Sequence, residues 1–314
     1  MKILRVVRNV ARSVMDFPAE FVASKRWELL SEKLLDLASA NDLIAEVITN
    51  QCQFLVGRPG GTEGRLVEEF IRRRWGTSRL WSDSRYSSWA RRRGPEWSGI
   101  VGDGATDFDV FVAVYLRSIL ASDALFLSNV APSVHSWARV LSASGVPISD
   151  LANLNPYRAL KFGLEPWTKA LEGKKVLILH PFEDSIRSQF ARRGKITGVN
   201  QILPDFQLDV LKPPVTFAGE NESAKWFQQF ACTASQLRSR DFDVMIAGAG
   251  AYGLPLSQVA RDMGKTAIHL GGQVQVLFGI RGKRFGDTSS IAAVMDSTWI
   301  SPSRGETPEE AHRV

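Results

Sequence analysis

Three short apolar runs set the rhythm of the C-terminal half: Val176 to Leu179 (VLIL), Val244 to Ala247 (VMIA) and Ala267 to Leu270 (AIHL). Each follows a polar residue (Lys175, Asp243, Thr266). Each stops at a turn: His180-Pro181-Phe182, Gly248-Ala249-Gly250 and Gly271-Gly272. Unbroken apolar runs of this length, separated by helical segments, predict strands buried on both faces and therefore a parallel sheet. The connections between such strands are expected to be right-handed crossovers.

The N-terminal half has the same grammar in weaker form. Gln53 to Val56 predicts a short strand, Gly57 to Gly61 a turn, and Glu63 to Trp75 a helix. Asp107 to Leu120 predicts another helix and Ala124 to Val130 a buried strand. Residues 19 to 50 read as helices, AEFVASKRWELLSEKLLDLA and then NDLIAEVITN, with Asn41 or a neighbour capping the second. Residues 76 to 105 show no period and predict a long loop or short irregular helices. The expected architecture is α/β: a mainly parallel sheet flanked by helices over residues 51–286. A helical N-terminal extension (1–50) precedes it and a C-terminal tail (287–314) follows.

Composition narrows the function classes. At 314 residues, 44% hydrophobic and 23% charged, the chain is ordinary globular material. Its two cysteines, Cys52 and Cys232, have no metal-ligand spacing and suit a reducing compartment. The net charge of +6 is uneven, with Arg72-Arg73-Arg74 and Arg91-Arg92-Arg93 crowded together. Such clusters are either a solvated basic face or a surface for polyanions. No nucleic-acid reader motif accompanies them, so nucleic acid is not an expected partner. No apolar stretch approaches the roughly 20 residues that cross a bilayer. The first segment, with Lys2, Arg5, Arg8 and Arg12 at helical spacing, reads as a first helix packed on the domain or as an interfacial helix drawn to anionic lipid through residues 1–15. The expected location is cytoplasmic, including the inner face of the membrane.

Ligands of open parallel sheets bind outside the carboxyl ends of the strands. There the chain places Gly248-Ala249-Gly250-Ala251-Tyr252-Gly253, formally G-x-G-x-x-G, between a strand and a helix. Its small residues let backbone N–H groups approach a phosphate, or simply make a tight turn. The acid that would hold a dinucleotide ribose is missing: the next strand ends His269-Leu270-Gly271-Gly272. NAD is therefore not expected. His180 and His269 both fall at predicted strand ends and together suggest a polar crevice. The loop Arg58-Pro59-Gly60-Gly61-Thr62-Glu63 joins a guanidinium, suited to a diphosphate, to a carboxylate. Glu63 is a candidate base or metal contact, or a carboxylate resting on a helix dipole.

Taken in order, RPGGTE, GKKVLILHPFEDSIRSQF, ILPDFQL and FDVMIAGAGAYGLPLSQVARDMGKTAIHLGGQVQVLFGIRGKRF resemble a bacterial polysaccharide-biosynthesis family related to GT-D-type glycosyltransferases. The resemblance implies a Rossmann-like domain that transfers a sugar from a nucleotide donor to a saccharide or lipid-linked acceptor. The family loop reads R-x-G-D-G-E. Arg58, Gly60 and Glu63 match it, while Gly61 stands in the aspartate position and Thr62 in that of the second glycine. The implied donor site comprises Arg58, Gly60, Gly61, Thr62, His180, Gly248, Gly250, Tyr252, His269, Gly271, Gly272 and Gln275. Glu63 is the implied catalytic residue or contact to Mn²⁺ or Mg²⁺. Residues 72 to 97 read as an acceptor side or as packing. The loss of the aspartate also fits a non-catalytic nucleotide-binding or scaffold protein of the same machinery.

Overall fold

The computed structural model describes residues 34–64, 66–67, 70, 100, 105–128, 145–214, 225–282 and 289–306. Residues 1–15 and the basic segment 72–97 lie outside the described residues. Seven strands form one sheet: β1 Phe54–Gly57, β2 Ala124–Leu127, β3 Ile148–Asp150, β4 Lys175–Leu179, β5 Gln207–Leu211, β6 Val244–Ala247 and β7 Thr266–His269. Their order is β3-β2-β1-β7-β6-β4-β5, and every pairing is parallel.

Helices cover both faces. Side chains alternate along each strand, so Leu55, Leu177, Met245 and Ala267 enter one core while Val56, Ile178, Ile246 and Ile268 enter the other. The first core is closed by α2 (Ala105–Leu120), α6 (Trp226–Arg238) and α7 (Gly253–Asp262). The second is closed by α1 (Leu37–Thr49), α3 (Pro156–Lys161), α4 (Glu183–Ala191), α5 (Val199–Ile202) and α8 (Val274–Leu277). This is an α/β, Rossmann-like fold. No helix among the described residues is long and apolar enough to cross a membrane.

The three strongest strand signals fall within one residue of the strands formed. Two strands carried no such signal. β5 is an edge strand whose burial falls off toward Gln207, and β3 is three residues long at the opposite edge. Edge strands lack the continuous apolar character of central parallel ones. The second predicted N-terminal helix is also capped differently. α1 starts at Leu37, and Asp36 accepts from the Ser39 N–H at 2.7 Å. Asn41 instead sits inside the helix and ties it to the next layer, accepting from Trp167 N at 2.8 Å and donating to Glu165 O at 2.9 Å.

The core clusters show where the crevices open. After β1 the chain turns to the first face and after β7 to the second. After β4 it turns to the second and after β6 to the first. Neighbouring strands whose connections leave by opposite faces make a topological switch point. Three neighbouring pairs at the centre of its carboxyl edge meet that condition: β1 and β7, β7 and β6, and β6 and β4.

Candidate functional site

β1 ends by delivering Arg58 to the carboxyl edge. The Arg58 carbonyl accepts the Nδ1–H of His269, the last residue of β7, at 2.8 Å. A carbonyl can only accept, so this bond fixes the tautomer and leaves Nε2 as a bare lone pair. That Nε2 is buried and without a partner, lying where a Cβ on Gly253 would stand, 2.5 Å away. Burial first, and the Arg58 charge second, lower the His269 pKa to about 3. The ring is therefore neutral at ordinary pH.

The Arg58 side chain lies flat over Gly271. A Cβ there would meet the guanidinium carbon at 3.0 Å, and the backbone at Gly271 has φ +61°, so glycine serves both conformation and close approach. The guanidinium makes no hydrogen bond or ion pair among the described residues, and its Nε is fully buried without an acceptor. This is a held cation with nothing in its fork.

The rest of the loop is held by Tyr115, on α2, whose phenolic oxygen accepts the Gly60 N–H at 2.9 Å. A helix opens at residues 61–64, with the Gly64 N–H donating to Gly60 O at 2.8 Å. Glu63 in that first turn folds back over Gly60, where its carboxylate fills the space a Cβ would need. It is 7% exposed and makes no hydrogen bond or ion pair among the described residues. Tyr115 is fully buried. Burial and the Glu63 charge push its phenol well above the ordinary range, so it keeps its proton.

The switch point between β6 and β4 lies beside it. A Cβ on Gly248, just past β6, would meet Val274 at 2.8 Å and the His180 ring at 2.9 Å, and would collide with the Gly271 carbonyl. His180 accepts the Phe182 N–H on Nδ1 at 3.1 Å, which leaves its Nε2 protonated, opposite to the His269 tautomer. Burial lowers its pKa to about 3.

The structure thus brings Arg58, Gly60, Glu63, His180, Gly248, His269 and Gly271 into one chain of contacts. Gly61, Gly250 and Gly272 are exposed beside it and Thr62 half-buried. Gly250, with φ +50°, opens a single 3-10 turn, so α7 begins only at Gly253. Gln275 is buried on α8, next to the Val274 that touches Gly248. Tyr252 goes elsewhere: its ring is buried and stacked on Trp226, centroids 5.5 Å apart, in the first core. Its aromatic packing, a large buried area, anchors the turn from below. Tyr115 escaped the sequence reading because it lies within the apolar run FVAVYL, where an aromatic reads as core.

No family model, curated protein or solved structure matches the chain. Function must therefore be argued from the site itself.

The site can grip an anion between Arg58 and the glycine turns, and it can accept a proton at Glu63. It does not fit a divalent cation by itself. Hard cations take six or more oxygen ligands, and Glu63 is one carboxylate, with no cluster of three metal-ligating side chains among the described residues.

Proposed function

We propose that the crevice binds a nucleotide-sugar and transfers its sugar to an acceptor hydroxyl, as a GT-D-type glycosyltransferase of cell-surface polysaccharide assembly would. The observation that carries this reading is the Arg58 guanidinium, pinned over Gly271 with no counter-ion among the described residues. Arginine's planar fork suits a diphosphate. A fixed cation at the leaving group stabilises the charge that develops as the nucleotide departs, where preorganised electrostatics contribute most. The turn at Gly248 meets the same crevice through the Gly271 carbonyl, and His180, packed against Gly248 with its Nε2 protonated, donates to the donor's oxygens. Glu63 takes the acceptor's proton. Location at the cytoplasmic face, with residues 1–15 resting on lipid and a lipid-linked acceptor, belongs to the same proposal.

A second reading, a nucleotide-binding scaffold without turnover, is favoured by Gly61. Space around it is open, yet the family's aspartate is absent.

A panel of nucleoside diphosphates and nucleotide sugars, with and without Mn²⁺, tests both readings by thermal shift and by nucleotide release. Stabilisation by at least one member is expected from either, and release only from the first. Glu63→Gln is expected to bind the same nucleotide while release falls about 100-fold or more. No shift from any member defeats both readings.

A further inference from the structure

The register of β1 ends at Val56↔Ile268 with β7 and at Gly57↔Leu125 with β2. Arg58, one residue further on, has left the ladder on both sides. A side chain takes over there: the Nδ1–H of His269 donates to the Arg58 carbonyl at 2.8 Å. His269 is itself fixed, because its backbone still pairs with Ala247 of β6. Its ring is 2% exposed and rests on the first residue of α7, where a Cβ on Gly253 would stand 2.5 Å from Nε2 and 2.8 Å from Cδ2. The ring thus fills the gap between the Arg58 carbonyl and the start of a helix.

Nε2 adds nothing to that packing. It is a buried acceptor without a donor among the described residues, which is costly, and it is buried too deeply to meet a ligand. An apolar side chain would occupy the same space without that cost. Nδ1 is what remains to account for a histidine.

We infer that His269 is a positioning residue for Arg58: its Nδ1–H anchors the backbone of the arginine and so sets where the guanidinium lies, while the ring touches no ligand. The guanidinium lies over Gly271, two residues past His269, where a Cβ would meet its carbon at 3.0 Å. Backbone and guanidinium of Arg58 therefore both rest on the residues that end β7. A cation held at both ends loses less freedom when an anion arrives. A neutral imidazole suits the task, since an imidazolium would repel the guanidinium beside it. That the anion is a diphosphate rests on the sugar-transfer reading; the clamp does not.

Nuclear magnetic resonance of the full chain tests the clamp without any ligand. In protein carrying isotopically labelled histidine, His269 is expected as the Nδ1–H tautomer at neutral pH. An Nε2–H tautomer or an imidazolium overturns the inference. The buried Nε–H of Arg58, identified by its loss in Arg58→Lys, is the second probe. Its exchange with solvent should be at least about tenfold faster in His269→Leu, which fills the space without a donor. In His269→Asn, whose amide nitrogen stands near the place of Nδ1, exchange should stay within about twofold of wild type. Lost packing alone would affect both variants alike, so equal exchange in the two overturns the positioning role. Should His269→Leu fail to fold, Gly253→Ala gives the same answer from outside the pair. Its backbone, at φ −57°, accepts alanine freely, so an effect on Arg58 passes through the displaced ring. An unmoved Arg58 signal in Gly253→Ala also overturns the inference. UDP titrated by calorimetry asks the separate question. Its Kd should rise about tenfold in His269→Leu and Gly253→Ala and stay within about twofold in His269→Asn. Equal UDP affinity in all of them overturns the positioning role. No UDP binding to the wild type defeats the nucleotide reading, while exchange at Arg58 still decides the clamp.

Discussion

Two corners of the sheet's carboxyl edge look alike in sequence and are finished in opposite ways. At each, a buried strand gives way to a helix with acid in its first turn: β4 to α4 with Glu183 and Asp184, and β1 to the helix at 61–64 with Glu63. In α4 the N-cap Phe182 has no capping side chain. Glu306, from the far end of the chain, supplies one. Its carboxylate accepts from Asp184 N at 2.7 Å, from Ser185 N at 3.2 Å and from the Ser185 hydroxyl. Ser303 N donates to it at 3.3 Å, and Glu306 is only 6% exposed. Orphan helix N–H groups and a buried carboxylate satisfy one another, so this corner is closed from within. At the β1 corner the half-buried Arg58 and the buried Glu63 have no such partners among the described residues. Buried charge without a partner is expensive, and a chain that closes one corner across some 120 residues has the means to close the other. The open corner is where an outside molecule completes the set.

The largest effect should come from breaking the closed corner. Glu306→Ala removes the cap and leaves amides of α4 and the Ser185 hydroxyl without their acceptor. We expect a loss of about 3 kcal/mol in urea unfolding at neutral pH, with nucleotide affinity, where present, unchanged. A neutral Glu306→Ala would mean that the corner is held by something else and that the contrast fails.

Acid should act on both corners, because each holds one neutral histidine. His180 and His269 have folded-state pKa values lowered to about 3 against an unfolded value near 6.5. Between those limits the unfolded chain binds protons that the native state refuses. Stability is thus fully present above about pH 6.5 and falls as pH drops toward 3. Each histidine contributes a slope of about 1.4 kcal/mol per pH unit inside that window. Urea midpoints measured from pH 7 to pH 4 should show it, and His180→Gln or His269→Gln should each remove one share. Arg58→Met separates the corners further, since the guanidinium contributes to the His269 shift and not to that of His180. A flat profile in either histidine variant, equal to that of the wild type, would show that these rings do not stay neutral in the native state.

The sheet was legible because its central strands are buried on both faces, which forces unbroken runs such as VLIL and VMIA. The edges were not. Gln207–Leu211 alternates, and Ile148–Asp150 is too short to have a period. Of the site, the glycines announced themselves through turns at strand ends, and Arg58 and Glu63 through the loop that joins them. The contacts that give these residues meaning were not local. Tyr115 lies 55 positions from Gly60, and the Arg58 carbonyl lies 211 positions from the His269 ring that it receives. Glu306 was hidden for the same reason: in the polar tail SPSRGETPEE nothing distinguishes a buried cap from a solvated acid. Spacing along the chain carries side-chain type, whereas satisfaction of a polar group depends on folded neighbours.

The smallest change in stability is the most discriminating. Glu63→Gln keeps the shape of the side chain and removes its charge. Because Glu63 has no hydrogen bond or ion pair among the described residues to lose, the exchange should be neutral or slightly stabilising, by less than about 1 kcal/mol. That sign is opposite to the one expected for Glu306→Ala, although both residues are acids more than nine-tenths buried on the same edge of the same sheet. Chemical denaturation of the two variants side by side measures the difference. If Glu63→Gln instead costs more than about 1 kcal/mol, Glu63 has an internal partner after all, and its corner is finished like the other. If it is neutral or better and nucleotide release is lost, the residue is retained for what it does to a ligand and not for what it does for the fold, as expected where activity depends on a destabilised site.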